Sequence, residues 1–231
     1  MQGLWVVPTP IGNLSDITLR GIEVLRSADV IWCEDTRHTR KLLSHYSIGG
    51  KLLRSYHMAN ERQALPRLFD EAQVKDWKVA LVTDGGMPGI ADPGFLAIRE
   101  AYRRKIPVSV LPGPNAALTA LVASGLPCDR FIFEGFMPRK GLLSYLSAFQ
   151  QEERTVIWYE SPHRIVRTIN ALADILGAAR WAAVVRELSK IYEEVRRGPL
   201  GRLRSDIQAN PPRGEVVLLL SGVSYQEPLY V

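Results

Sequence analysis

The chain has 231 residues, of which 46% are hydrophobic and 23% charged, as in a soluble globular protein with one large domain or two small ones. Its net charge of +5 permits a polyanionic partner but does not by itself indicate one. No apolar run is long enough to cross a membrane and no signal peptide is apparent, so a cytoplasmic location is predicted.

The first half of the chain alternates short apolar runs with helical patterns. Such alternation predicts a mostly parallel sheet with helices on its faces. Strands are predicted at Leu4–Val7, Val30–Cys33, Leu52–Leu53, Val79–Val82 and Val108–Leu111, and helices at Leu19–Leu25 with Ser15 or Thr18 as cap, at Thr39–Tyr46, after a capping Asn60, and at Phe95–Arg103.

A turn-rich break at Ser124–Pro127 separates a second α/β unit. Its predicted strands are Phe131–Phe133, Val156–Tyr159, Ala182–Val185 and Val216–Leu220, its helices are Leu142–Phe149 and Ile165–Leu176, and a hairpin is predicted near Tyr192–Arg197. We therefore predict two α/β lobes, residues 1–115 and 116–231, with a ligand cleft between them.

The loop Thr83–Gly94 is the most informative stretch, because it holds two carboxylates, four glycines and two prolines directly after a predicted buried strand. Glycine lets backbone approach a ligand closely, and proline fixes the path of the chain. Loops at the carboxyl ends of parallel strands bind ligands in open α/β sheets. The acidic residues favour a ligand with hydroxyls, amines or positive charge over a phosphate.

Other polar or proline-rich turns also follow predicted strands. They are Pro8–Asn13, Glu34–Arg40, Pro112–Ala116, Glu160–Arg164 and Arg186–Lys190. Several such turns on one rim predict a single extended site. Neither the cysteines, Cys33 and Cys128, nor the four histidines show metal-ligand spacing. We expect no metal, and both cysteines to be buried free thiols.

The order of these motifs resembles the tetrapyrrole methylase superfamily of S-adenosylmethionine (SAM) enzymes. The resemblance rests on PTPIGNLSDIT from Pro8, EDTRHTRKLL from Glu34, DPG from Asp92, PGPNA from Pro112, SGLP from Ser124, FEGF from Phe133, YESPHR from Tyr159 and RELSK from Arg186. EDTRHT, YESPHR and RELSK together most resemble the members that methylate a cytidine 2′-hydroxyl in small-subunit (16S) ribosomal RNA, and members that modify tetrapyrroles are not expected to carry these three motifs. The resemblance implies that SAM lies in the cleft between the lobes and that the protein is a homodimer.

The chain departs from the family pattern in places. The central loop usually reads SDAGTPLISDPG, whereas this chain reads TDGGMPGIADPG from Thr83. Asp84 and the DPG are retained, so we expect the SAM site to be present, with altered packing around the methionine part of SAM. Ser189 replaces a threonine, and the chain ends sooner than many members, which leaves the exact nucleotide open.

The residues expected to bind SAM are identified partly from their chemistry and partly from the resemblance. Asp84 can accept hydrogen bonds from the ligand, although a carboxylate there can instead cap the following helix. Ile11 and Met87 are candidate apolar walls, with plain core packing as the alternative. The resemblance places the Asn115–Ala116 backbone, Tyr159 and Gly214–Glu215 around the adenosine.

Methyl transfer to a ribose hydroxyl needs an oriented oxygen and either a base or a cation that lowers the hydroxyl pKa. The candidate catalytic residues are Lys190, Glu187, Asp35 and Arg37. The candidate RNA-binding cations are Arg37, Arg40, Lys41 and Arg164. His163 is expected to cap a helix.

Two alternatives remain from the sequence. The protein could methylate a tetrapyrrole of the uroporphyrinogen or precorrin type, or it could be a non-catalytic, ribosome-associated RNA-binding protein.

Overall fold

The computed structural model describes residues 1–227, and the chain divides into two compact units, Met1–Asn115 and Ala116–Val231. The last four residues of the second lobe, 228–231, lie outside the described residues. Within the described part, no helix has the length and apolar character needed to cross a membrane.

The first unit is built on a five-stranded parallel sheet, as predicted. The strands run in the order β3-β2-β4-β1-β5, and every neighbouring pair is parallel. They are β1 (Gly3–Val6), β2 (Val30–Cys33), β3 (Leu52–Ser55), β4 (Lys78–Leu81) and β5 (Val108–Val110). Since all five strands point the same way, the loops that follow them emerge at one edge of the sheet.

Four helices cover this sheet: α1 (Leu19–Ser27), α2 (Thr36–His45), α3 (Glu61–Val74) and α4 (Phe95–Arg103). Thr18 caps α1 by accepting a hydrogen bond from the Gly21 amide at 3.0 Å, whereas Ser15 lies in a separate 3₁₀ turn. Asn60 occupies the cap position of α3 without capping it. Its side-chain oxygen Oδ1 instead accepts a hydrogen bond from the His57 amide in the preceding turn.

The sheet of the first unit is buried on both faces. Leu4, Trp32 and Phe69 belong to one core cluster, and Ile31 and Ala80 belong to another. Neighbouring strand residues point to opposite faces, so Ile31 and Trp32 enter different clusters. This two-sided burial explains why the strands appear in the sequence as unbroken apolar runs.

The second unit opens with α5 (Ala116–Ser124), a helix that the sequence analysis missed. The strands are β6 (Phe131–Phe136), β7 (Thr155–Glu160), β8 (Trp181–Arg186), β9 (Glu194–Pro199) and β10 (Val216–Leu220). The remaining helices are α6 (Leu142–Ser147), α7 (Ile165–Leu176) and α8 (Leu200–Ala209), of which α8 was also not predicted.

The second sheet is mixed, with the order β6-β7-β10-β8-β9. Only β6 and β7 pair in parallel, and the predicted hairpin is the antiparallel pair β8–β9. Both β7 and β8 run antiparallel to β10, so Glu160 and Arg186 each pair with Val216. The loops that follow β7 and β8 therefore meet beside the start of β10.

Candidate active site

The loops after β1 and β4 are bonded to each other at the carboxyl edge of the first sheet. Thr9 and Gly86 exchange two backbone hydrogen bonds, of 3.0 and 2.8 Å, and the Thr9 hydroxyl donates to the Thr83 carbonyl at 2.9 Å. A Cβ on Gly85 would lie 3.3 Å from the Pro10 carbonyl oxygen. The glycines of the central loop thus allow backbone to pack against backbone.

Asp84 joins the central loop to the loop after β2. Its Oδ1 accepts a hydrogen bond from the Asp35 amide at 3.1 Å. The next helix, α4, begins at Phe95 with Gly94 at its cap position. The alternative that Asp84 caps the following helix is therefore wrong. Ile11 and Met87, the predicted apolar walls, are both half-buried on these loops.

Two further carboxylates lie near Asp84 and were not predicted as site residues. Burial, with the negative charges of Glu34 and Asp84, raises the pKa of Asp92 to about 6. Burial and the nearby Asp84 also raise the pKa of Glu34. Within residues 1–227, no group of acidic, cysteine or histidine side chains is arranged to hold a metal ion. Glu34, Asp84 and Asp92 together give this edge of the sheet a negative potential.

Asp35 and Arg37 are paired with each other. The Arg37 Nη2 lies 2.7 Å from Asp35 Oδ2, and its Nε lies 3.1 Å from Oδ1. The hydrogen bonds from Arg37 lower the pKa of Asp35 well below its usual range, which makes this carboxylate a weak base. Asp35 also caps α2 through the Arg37 amide, so this helix begins three residues earlier than predicted.

Arg40 and Lys41 lie on α2 with exposed side chains. Neither forms an ion pair within the part of the chain that the structure describes. Of the predicted RNA-binding cations on this helix, these two therefore carry uncompensated charge, whereas the charge of Arg37 is offset by Asp35.

In the second unit the structure brings Lys190, Glu187 and Glu215 together. The Lys190 ammonium donates to Glu187 Oε1 at 2.9 Å and to Glu215 Oε2 at 3.0 Å. Partial burial favours the neutral amine, but these two carboxylates outweigh it and raise the pKa of Lys190. The hydrogen bond from Lys190 in turn lowers the pKa of Glu187. Lys190 is thus held as a cation and is unsuited to act as a base.

Gly214 makes room for this cluster. A Cβ at this position, whose φ is +83°, would lie 2.2 Å from Glu187 Oε1. The same oxygen accepts the Glu215 amide at 3.0 Å. Glu187 and Ser189 also have positive φ, of 52° and 62°. The sequence analysis placed Gly214 near adenosine but did not identify its packing role.

Arg164 bonds to protein backbone. Its guanidinium donates to the carbonyls of Met137, at 3.2 Å, and Pro138, at 2.6 Å, and lies 3.6 Å from the buried Glu160 carboxylate. These contacts give it a role in holding the loop after β6, while direct RNA contact stays a prediction. His163 does not cap α7 with its side chain, because the cap position belongs to Arg164.

The remaining predicted positions lie at the ends of elements. Asn115 is the last residue of the first unit and Ala116 the first of α5. Tyr159 lies one residue before the end of β7. Both cysteines are free, as predicted; Cys33 is buried, but Cys128 is exposed, contrary to expectation.

Comparison with known proteins supports the resemblance over almost the whole chain. Residues 3–204 match the family described as Tetrapyrrole (Corrin/Porphyrin) Methylases. A relative from Escherichia coli O157:H7 named ribosomal RNA small subunit methyltransferase I is 44% identical over 97% of this chain and 79% of its own length. A relative of the same name from Hydrogenobaculum sp. is 46% identical over 98% of this chain and 99% of its own length.

Solved structures show the same fold at low sequence identity. Diphthine synthase superposes with a TM-score of 0.73 at 17% identity, over 94% of this chain and 89% of that one. Uroporphyrin-III-C-methyltransferase from Thermus thermophilus gives 0.67 at 21% identity, over 96% of both chains. Together with the family match, these findings confirm the predicted fold class and methyltransferase assignment, and the chain belongs to the tetrapyrrole methylase family.

Proposed function

We propose that this protein transfers a methyl group from SAM to the ribose 2′-hydroxyl of a cytidine in small-subunit ribosomal RNA. The observation that carries the proposal is the 44–46% identity, over at least 97% of this chain, to two relatives named for methylating that RNA. The 2′-hydroxyl and the cytidine come from the resemblance carried by EDTRHT, YESPHR and RELSK.

The residues of the first unit fit SAM on chemical grounds. SAM carries a sulfonium and an ammonium, and the negative charge of Glu34, Asp84 and Asp92 favours such cations. Ile11 and Met87 offer apolar surface on the same loops. We assign the adenosine to the Asn115–Ala116 backbone, Tyr159 and Glu215, following the resemblance.

SAM supplies a methyl group that its sulfonium makes electrophilic, so the main task of the protein is to orient the attacking oxygen. As the methyl–oxygen bond forms and the methyl–sulfur bond breaks, the hydroxyl proton leaves to solvent. Lys190 is suited to stabilise the negative charge that develops on the ribose oxygen, because its two carboxylate partners keep it charged. Glu187 holds Lys190 in place. The low pKa of Asp35 disfavours it as a proton acceptor, and Arg37 remains bound to Asp35.

We propose that Arg40 and Lys41 contact RNA phosphates, because both are exposed and unpaired within the described chain. Following the resemblance, the protein acts as a cytoplasmic homodimer on ribosomal RNA or the assembled small subunit. Light scattering that gives only a 25.9 kDa species at micromolar concentration would refute the dimer.

Radiolabelled methyl transfer tests the activity. The acceptor is the small ribosomal subunit from a strain that lacks the endogenous enzyme, and a porphyrinogen is the competing acceptor. Label in a 2′-O-methylcytidine is the expected result. Transfer to the porphyrinogen alone would indicate a tetrapyrrole methyltransferase, and failure to bind SAM in calorimetry would indicate a non-catalytic protein.

A further inference from the structure

The edge strand β6 carries a bulge that presents an exposed aromatic ring. Its pairing with β7 shifts register between Phe133 and Phe136, and Gly135 between them has a φ of +70°. Because of this shift, Phe133 and Phe136 both contact the Tyr159 ring, at centroid distances of 4.9 and 5.4 Å. Phe136 nevertheless stays 66% exposed. A bulge that re-aims a side chain at a sheet edge is a common feature next to functional sites.

The loop that follows this strand is held firmly in place. The amide of the buried Met137 donates to the Tyr159 carbonyl at 2.9 Å. The Arg164 guanidinium binds the carbonyls of Met137 and Pro138. The loop backbone next to Phe136 is therefore tied to both β7 and the start of α7.

Two cations extend from this loop. Arg139 and Lys140 are both exposed, and neither forms an ion pair or hydrogen bond with another residue in the range 1–227. The acid closest in sequence, Glu134, accepts a hydrogen bond from the Tyr145 hydroxyl. Glu160 is buried and bonded to Thr168. Glu134 is exposed and keeps its negative charge, so Arg139, Lys140 and Glu134 together leave a net charge of +1 beside Phe136.

We propose that Phe136, Arg139 and Lys140 form a binding site for single-stranded RNA, in which a base stacks on Phe136 and the flanking phosphates contact the two cations. Unpaired bases stack on aromatic side chains, and cations neutralise the backbone. The inference rests on the proposed function. Phe136 pairs with Tyr159 near the same end of the sheet as the loop that carries Lys190. Three strand spacings separate β6 from β8, roughly 14 Å, so one RNA segment can contact both.

Four variants test base stacking and phosphate contact separately. The assay measures binding to a fluorescent single-stranded oligoribonucleotide with the small-subunit sequence around the methylated cytidine. Phe136→Ala should weaken binding at least ~5-fold with an unchanged salt slope, since stacking involves no charge. The double variant Arg139→Gln/Lys140→Gln should make the decline of log affinity with log salt less steep by about 1.4 units, because each of the two lost phosphate contacts contributes ~0.7.

The matched controls are Phe131→Ala and Arg130→Gln/Arg167→Gln, which alter exposed residues at the start of β6 and on α7. They should bind RNA as the parent does, and all variants should keep the parent SAM affinity in calorimetry. Variants that bind like their controls would overturn the inference. The inference would also be overturned if Phe136→Ala left the RNA affinity unchanged but altered the mass measured by light scattering. The Phe136 ring would then belong to a subunit interface. Failure of the proposed function is a separate result, in which the parent itself does not methylate small subunits.

Discussion

Replacing Gly214 with alanine tests how the Lys190 cluster is held together. The new Cβ would lie 2.2 Å from Glu187 Oε1, so the carboxylate must move. Movement breaks its hydrogen bonds with the Glu215 amide and the Lys190 ammonium. An alanine with left-handed φ costs about 1–2 kcal/mol, and loss of a hydrogen bond to a charged group costs about 1.5–3 kcal/mol. We expect Gly214→Ala to lower the free energy of unfolding by ~3 kcal/mol or more and to reduce the methylation rate.

Gly141→Ala separates backbone strain from the clash. Gly141 lies in the left-handed region, with φ 65° and ψ 25°, and a Cβ there has no neighbour within 4 Å. The free energy of unfolding of this control should therefore fall only by the cost of an alanine in left-handed backbone, ~1–2 kcal/mol. Urea denaturation of both variants measures the difference, and methyl transfer to small subunits measures its effect on activity.

A double-mutant cycle tests whether the additional loss of stability in Gly214→Ala comes from the contact with Glu187. In a Glu187→Ala background the obstructing carboxylate is gone, so Gly214→Ala should cost no more than Gly141→Ala. Equal penalties for the two glycine variants in the parent protein would refute the packing argument. A Gly214 penalty that persists without Glu187 would show that the strain comes from another contact.

Three further outcomes are expected. Because Lys190 is proposed to stabilise charge, Lys190→Ala should lower the methylation rate by ~10²-fold or more while sparing SAM affinity. Lys190→Arg keeps the charge and should retain part of the rate. A parent rate in Lys190→Ala would exclude Lys190 from the mechanism. Asp84→Ala should weaken SAM binding in calorimetry at least tenfold, on the order of 1.4 kcal/mol, while Glu23→Ala on the exposed side of α1 should not. The pKa of Asp92 is raised to about 6 in the folded protein. Ionisation of Asp92 therefore lowers the free energy of unfolding, fully above pH 6 and progressively less as the pH falls toward the ordinary aspartate pKa near 4. Asp92→Asn should therefore be more stable than the parent at pH 7 in urea, with the difference vanishing near pH 4; a pH-independent difference would contradict this account.

Elements with a strong apolar pattern were predictable to the residue. The bounds of β2, α4 and β10 match the predicted Val30–Cys33, Phe95–Arg103 and Val216–Leu220. By contrast, α5 has apolar or small residues on every side, so Ala116–Ser124 shows no helical periodicity to detect. The direction of β10 was also not predictable, because an apolar run is the same for parallel and antiparallel pairing.

The chemistry of the candidate site was predictable in kind, but the pairing of its charges was not. EDTRHTR and RELSK identified Asp35, Arg37, Glu187 and Lys190 as polar groups that follow strands. Their protonation depends on partners set by loop geometry, such as the bond from Lys190 to Glu215, which lies 25 positions later in the chain. Sequence spacing gives no information about such a contact.

These partners change what each motif residue can do. Lys190 was equally acceptable as a base or as a cation until its two carboxylate contacts were known, and they favour the cation. Arg164 was grouped with the RNA-binding arginines, yet its bonds direct it to the loop that carries Arg139. A motif therefore locates the chemistry of a site, while the hydrogen bonds around each side chain determine which members are available to a ligand and which ones hold the others in place.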